Sequence, residues 1–260
     1  MSGRRDETWL LDLGNSRAKL ARMEQRAPVD ITALDWARPD FVTALRGLLD
    51  SWPRPARILV ASVAPASRTD VVRECLPGSR EVEVAWLRSP RRACGVGNHY
   101  AKPERLGIDR FLAMVAVRAR TDGAGLVVGC GTAVTLDAVA ADGNHAAGVI
   151  APSPAAMLGA LHHGTAIADT NPDAFRDQGV DDTAAALQAG CWAAAGALVE
   201  WFATRQRAGL GAAPVWLHGG WANTLAAWLE RDGFEAEVLE HAVLSGLAVW
   251  ATTRVTERTT

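Results

Sequence analysis

Hydrophobic and polar positions in the first third of the chain follow two different periods. Short apolar runs at residues 8–12, 19–23, 29–34, 57–63 and 82–87 read as strands, while 39–52 and 66–75 carry helical spacing. Three strands followed by alternating helices and strands predict an α/β layer structure. Residues 88–102 hold Pro90, Gly95 and Gly97 and few apolar positions, which predicts a loop long enough to be functional. Beyond it, Phe111, Leu112, Val115, Ala116 and Ala119 recur at helical spacing within 103–120, a helix that carries Asp109 near its start. The pattern then begins again. Strands are expected at 126–128, 133–138 and 147–151, helices at about 154–167 and 182–206, and a buried strand at 214–217. A helix at 223–231, a short strand at 236–239 and a closing helix from His241 complete the chain.

The second half therefore repeats the element order of the first, each opening on a three-strand meander with a polar glycine turn between its first two strands. Those turns are DLGNSRAK, residues 12–19, and GCGTA, residues 129–133. Duplication in element order predicts two domains, 1–120 and 121–260, that place the two turns on facing walls of a cleft suited to a nucleotide. The architecture resembles two duplicated ribonuclease H-like domains, as in the acetate and sugar kinase, Hsp70 and actin superfamily. Neither a GxxxxGK[ST] nor a GxGxxG motif competes.

The first turn has the chemistry of a phosphate site. Gly14 permits close backbone approach, loop amides and the Asn15 and Ser16 side chains can donate to phosphoryl oxygens, and Arg17 or Lys19 can neutralise charge. Asp12, an acceptor when ionised, would repel phosphate unless a hydrated Mg²⁺ sat between them. Taken alone, the octapeptide equally fits a hairpin whose polar residues face water.

Composition changes this picture mainly by exclusion. At 260 residues, 49% apolar, 22% charged and with a formal net charge of −2, the chain has an ordinary globular composition without the basic excess of a nucleic-acid binder. The local cluster Arg88, Arg91 and Arg92 fits a solvated loop face, with phosphate contact as the alternative. The first residues lack the apolar core of a signal peptide and no uncharged stretch approaches a membrane span, so a cytoplasmic protein is expected. Cys75, Cys94, Cys130 and Cys191 show no CxxC spacing and read as reduced thiols. Trp192, Trp201, Trp228 and Trp250 read as core, and His99, His145, His162, His163 and His241 as loop or helix-surface residues.

Read together, the motifs resemble those of the type III pantothenate kinases, also known as the Bvg accessory factor family. They are DLGNSRAK from Asp12, ASVAP from Ala61, NHYAKPERLGIDR from Asn98, GTAVTLD from Gly131, AGVIAPS from Ala147, DTAAALQAG from Asp182 and HGG from His218. The resemblance implies ATP-dependent phosphorylation of the primary hydroxyl of pantothenate, the first step toward coenzyme A. It also implies that Asp109 is the catalytic carboxylate and that Tyr100, Gly107, Ile108 and Arg110 line the pantothenate site, with Arg110 pairing with the substrate carboxylate. Asp12 would hold Mg²⁺ through water, Gly14, Asn15, Ser16 and Lys19 would form the first phosphate loop, and Gly131, Thr132 and Ala133 the second. Members of this family build the site across a homodimer interface, where Thr183 would come from the neighbouring subunit; an early-turn helix role accounts for that threonine equally well.

Three departures qualify the resemblance. Gly129 stands where many members carry an acid associated with a monovalent cation, K⁺ or NH₄⁺, which speaks against such a requirement here. AGVIAPS replaces two glycines, with Ala147 and Ser153, and HGGWA puts His218 and Trp221 where a TGG motif followed by an acid and alanine is usual. These changes leave a second reading open, a catalytically weak nucleotide-binding regulator on the same fold. Retention of Asp12, Asp109 and Arg110 favours the enzyme.

Overall fold

Trp9, Leu11 and Leu13 face one side of strand β1 (Thr8–Leu13) and Leu10 and Asp12 face the other, because successive side chains of a strand alternate. In the computed structural model, which describes residues 7–78, 82–164 and 182–253, this alternation organises the first of two compact units. Strand β1 pairs antiparallel with β2 (Arg17–Glu24), which pairs antiparallel with β3 (Ala27–Asp35). On its other edge β1 runs parallel to β4 (Arg57–Ser62), and β4 parallel to β5 (Glu83–Trp86), giving the order β3-β2-β1-β4-β5. Helices α1 (Phe41–Ser51) and α2 (Ala66–Cys75) make the crossovers. Trp9, Leu11 and Leu13 share a core with Phe41, Leu45 and Leu49 of α1 and Val72 of α2.

The expected helix over 103–120 is divided. A 3₁₀ turn at Pro103–Arg105 precedes α3 (Ile108–Arg118), with Leu106 and the extended Gly107 between them. Residues 88–102 also contain a small hairpin, β6 (Arg92–Ala93) with β7 (Val96–Gly97). Cys94 (φ 50°) and Gly95 (φ 79°) turn it with left-handed backbone, the geometry a two-residue hairpin loop requires.

The last helix, α7 (Ala242–Thr252), packs with the first unit, which comprises residues up to Ala119 together with those from Ala242. The second unit is Arg120–His241, so it stops short of the boundary expected at residue 260. The reason is visible in α7 itself. Its apolar residues Val243, Leu244, Leu247 and Ala248 are all buried, and it lies along α3. At Gly246 the helices approach so closely that a β-carbon would stand 2.1 Å from the Leu112 carbonyl oxygen. Phe111 and Trp250 meet edge to face, 6.2 Å between ring centroids.

In the second unit β8 (Gly125–Cys130), β9 (Ala133–Val139) and β10 (His145–Pro152) form the meander, and β11 (Val215–His218) and β12 (Glu237–Val238) extend it in parallel. The order β10-β9-β8-β11-β12 is that of the first sheet, strand for strand. Helices α4 (Pro154–Gly164), α5 (Thr183–Leu210) and α6 (Ala222–Arg231) connect the strands, and the end of the expected helix 154–167 lies outside the described residues. Leu126, Val128, Leu136, Trp192, Val199 and Leu225 anchor the core. Two expectations about single residues change. Trp201 is 51% exposed on α5, with the Arg205 guanidinium 6.0 Å from its ring, and His145 is buried in β10 with its Nε2 2.8 Å from the Asp137 carboxylate.

Candidate active site

The first glycine turn joins β1 to β2 and is held from behind. The Gly14 amide donates to the Arg17 carbonyl at 3.1 Å and so closes the turn, leaving it unavailable to a ligand. Asn15, Ser16 and Arg17 are exposed. Two residues that the motif does not contain fix the loop. The Trp36 indole Nε1 donates to the Gly14 carbonyl at 2.9 Å, and Arg68 donates to the Asn15 carbonyl while lying 5.6 Å from the Trp36 ring centroid. Both act on backbone carbonyls, which every residue has, so no side-chain pattern in the sequence announces them.

Asp12 lies at the end of β1, only 7% exposed and directly opposite Lys19 of β2. Burial pushes its carboxyl up to about 6; Lys19 opposes the shift and the negative charge of Asp109 adds to it. The two carboxylates therefore share one electrostatic environment. Alternation explains how: Asp12 faces away from the α1 and α2 core, on the side of the sheet where α7 contacts β1 and α3 contacts β4.

Asp109 stands in the first turn of α3, where the helix dipole favours a negative charge. Its Oδ1 accepts from the Arg110 amide at 2.8 Å. Gly107 makes room for that carboxylate, since a β-carbon there would come within 2.5 Å of Oδ1. Ile108 is buried, so its side chain belongs to the core. Arg110 is 7% exposed, and its Nη1 lies 3.2 Å from the Tyr100 hydroxyl oxygen. Five of the expected site residues, Asp12, Lys19, Tyr100, Asp109 and Arg110, are thereby linked within the first unit by register, charge or hydrogen bond. Among the described residues no three His, Cys, Asp or Glu side chains gather as a metal site.

The second glycine turn is a three-residue reversal between β8 and β9, closed by the Gly131 amide donating to the Ala133 carbonyl at 3.1 Å, with Thr132 exposed at its tip. The Trp221 amide, after β11, donates to the Cys130 carbonyl at 3.2 Å and ties the HGGWA segment to this turn. Gly129 pairs with Thr135 on one side and His218 on the other. A β-carbon on Gly129 would stand 2.5 Å from Thr135 Oγ1 and 3.2 Å from His218 Nε2. Thr183 is exposed at the start of α5, whose N-cap is Asp182, its side chain accepting from the Ala185 amide at 2.7 Å.

The repeated sheet order defines the class of fold. A solved structure described as a putative 2-dehydro-3-deoxygalactonokinase from Sinorhizobium meliloti superposes with a TM-score of 0.57 at 18% identity, covering 94% of this chain and 98% of that one. The fold is thus α/β with two duplicated ribonuclease H-like units, the same strand order recurring in each sheet. Sequence narrows it further. The family model described as type III pantothenate kinase matches residues 9–205. The chain is 39% identical over 249 residues to a type III pantothenate kinase of Stenotrophomonas maltophilia, covering 94% of this chain and 96% of the relative. It is equally similar, 39% over 246 residues, to one of Xanthomonas campestris pv. campestris, with 94% and 97% covered. The chain belongs to the type III pantothenate kinase family.

Proposed function

We infer that the chain is an ATP-dependent pantothenate kinase, acting in the first step of coenzyme A biosynthesis. The observation that carries this reading is the first turn of α3, where Asp109 adjoins Arg110 and the Arg110 guanidinium meets the Tyr100 phenol at 3.2 Å. That turn and the tyrosine it meets offer a proton acceptor, a partner for the pantothenate carboxylate and an aromatic wall. The hydroxyl oxygen of pantothenate forms a bond to the γ-phosphorus as the bond from that phosphorus to the bridging oxygen breaks, ADP leaves, and Asp109 takes the hydroxyl proton. Gly107 and Ile108 hold the backbone before Asp109, and Arg110 orients the substrate through its carboxylate. Asn15, Ser16 and Lys19 meet phosphoryl oxygens at the first turn, Gly14 shaping it, and Gly131, Thr132 and Ala133 form the second phosphate loop.

Two buried or half-buried carboxylates beside one lysine suit a divalent cation, because one lysine leaves the phosphate side net negative. Asp12 would hold Mg²⁺ through water. When bound, that ion neutralises charge on the phosphoryl oxygens. A monovalent cation resting on an acid at position 129 does not fit: Thr135 and His218 occupy the space a side chain there would need. Purified protein with MgATP is expected to release ADP only when pantothenate is present, at the same rate in Na⁺ as in K⁺ or NH₄⁺ salts. A marked rise with K⁺ or NH₄⁺ would contradict the reading of Gly129. ATP binding without pantothenate-dependent ADP release would favour a nucleotide-binding regulator instead.

The same reading includes a cytoplasmic homodimer with Thr183 completing the partner's pantothenate site. All four cysteines are unpaired thiols, and among the described residues no helix is long and apolar enough to cross a membrane. An apolar groove of about 770 Å³ between α4 and α5, lined by Met157, Leu161, Leu187 and Cys191, gives a second copy a surface to cover. Sedimentation under assay conditions should show a dimer, and monomer alone would rule out a shared site.

A further inference from the structure

We propose that Arg91 and Asn98 are positioning residues that set the enzyme's affinity for its acceptor substrate, by locking the segment that carries Tyr100. This rests on the kinase reading above. The segment 98–102, between β7 and the 3₁₀ turn, has no regular structure, so its backbone polar groups must find partners elsewhere. Two side chains supply them. Arg91 Nη1 donates to the carbonyls of Asn98 at 2.9 Å and Tyr100 at 2.8 Å, and Nη2 to that of Ala101 at 3.2 Å. Asn98, fully buried, donates through Nδ2 to the Pro103 carbonyl at 2.9 Å and accepts the Tyr100 amide on Oδ1 at 3.0 Å. The Asn98 amide returns to the Arg91 carbonyl at 2.8 Å, closing the loop on itself.

Both hydrogen-bonding groups of the Tyr100 backbone are thus fixed by side chains, and its phenol reaches Arg110 one residue from Asp109. A planar guanidinium presents its donors in a fixed fork that spans carbonyls spaced along the segment, whereas an ammonium offers its three donors from a single compact point. The sequence suggested a solvated loop face or a phosphate contact for Arg91; the geometry points to a clamp on the backbone instead. Releasing it frees Tyr100 to leave the Arg110 side of the site. A loosened wall must be ordered when the substrate binds, so it should weaken pantothenate binding while leaving the ATP side intact.

The test is Arg91→Met, which keeps the apolar stem and removes the donors, beside Arg91→Lys. Hydrogen exchange across residues 98–106 and steady-state kinetics are measured on the full chain. Arg91→Met is expected to speed exchange at the Asn98 and Tyr100 amides, which donate to the Arg91 carbonyl and to Asn98 Oδ1, and to raise the pantothenate KM roughly tenfold with the ATP KM unchanged. Arg91→Lys should restore part of both. Unchanged exchange, or ATP and pantothenate KM values that rise together, would overturn the proposal, the second outcome marking a merely structural role. If the wild-type chain turned over no pantothenate, the kinase reading would fall, and the local exchange result would alone decide whether Arg91 clamps the loop.

Discussion

Asp109→Asn should lower kcat by roughly 10²–10⁴-fold while leaving both KM values and the unfolding midpoint close to wild type. The carboxamide keeps the volume of the carboxylate, and its oxygen can still accept the Arg110 amide that Asp109 Oδ1 accepts at 2.8 Å. What it loses is the ability to take the hydroxyl proton of the acceptor. Asp109→Glu is not expected to rescue the rate, because the carboxylate is seated over Gly107, where even a β-carbon would stand 2.5 Å from Oδ1, and one more methylene moves it off that seat. Steady-state kinetics with thermal unfolding checks both variants. Wild-type turnover in Asp109→Asn would remove Asp109 from the chemistry.

Asp12→Asn separates activity from stability in opposite directions. Phosphoryl transfer should fall by at least about 10²-fold, since charge stabilisation at the transferred group is among the larger contributions to catalysis. The metal-free protein, however, should become more stable at neutral pH. Burial raises the Asp12 carboxyl from 3.8 to about 6, so ionising it in the folded state is unfavourable. The folded chain binds a proton there between those two values more readily than the unfolded chain does. Wild-type stability therefore declines as pH rises through that window, and the full penalty, at most about 3 kcal/mol, persists above it. Asparagine does not titrate, so the advantage of Asp12→Asn should be absent below pH 4, grow toward pH 6 and stay level at pH 8. Urea unfolding without Mg²⁺ at those three pH values measures it. A variant equal to or less stable than wild type at pH 8 would show that the carboxylate is not held under electrostatic penalty.

Much of the fold can be read from residue order. The alternation of Trp9, Leu11 and Leu13 against Leu10 and Asp12 already sets a core face and a second face on β1, and the repeated meander gives the duplicated sheets. The place of α7 cannot be read in that way. A helix apolar on nearly every side carries no stripe to say which core it joins, and only the close approach at Gly246 to Leu112 settles that it packs with the first unit. The break at Gly107 was hidden for a similar reason: Phe111, Leu112 and Val115 keep helical spacing, while the residues before them depart from it too briefly to register.

The candidate site divides along the same line. Asp12, Asp109 and Arg110 are chemically distinctive side chains in ordered motifs, and the sequence exposes them. Trp36, Arg68, Arg91 and Asn98 work by donating to main-chain carbonyls, contacts that leave no pattern at the accepting residue. Gly129 was visible as a departure, but its meaning depends on Thr135 and His218, one on each neighbouring strand, and strand pairing is a property of the fold.

The most direct measurement is product analysis. Purified wild-type protein and Asp109→Asn are each incubated with MgATP and pantothenate, and the reaction is followed by ³¹P NMR with mass spectrometry of the acceptor. The wild-type protein should convert pantothenate to the monophosphate ester of its primary hydroxyl with one ADP formed per ester, and Asp109→Asn should form almost none in the same time. Phosphorylation elsewhere on the acceptor, ADP without phosphoester, or no reaction from the folded wild-type protein would contradict the assignment.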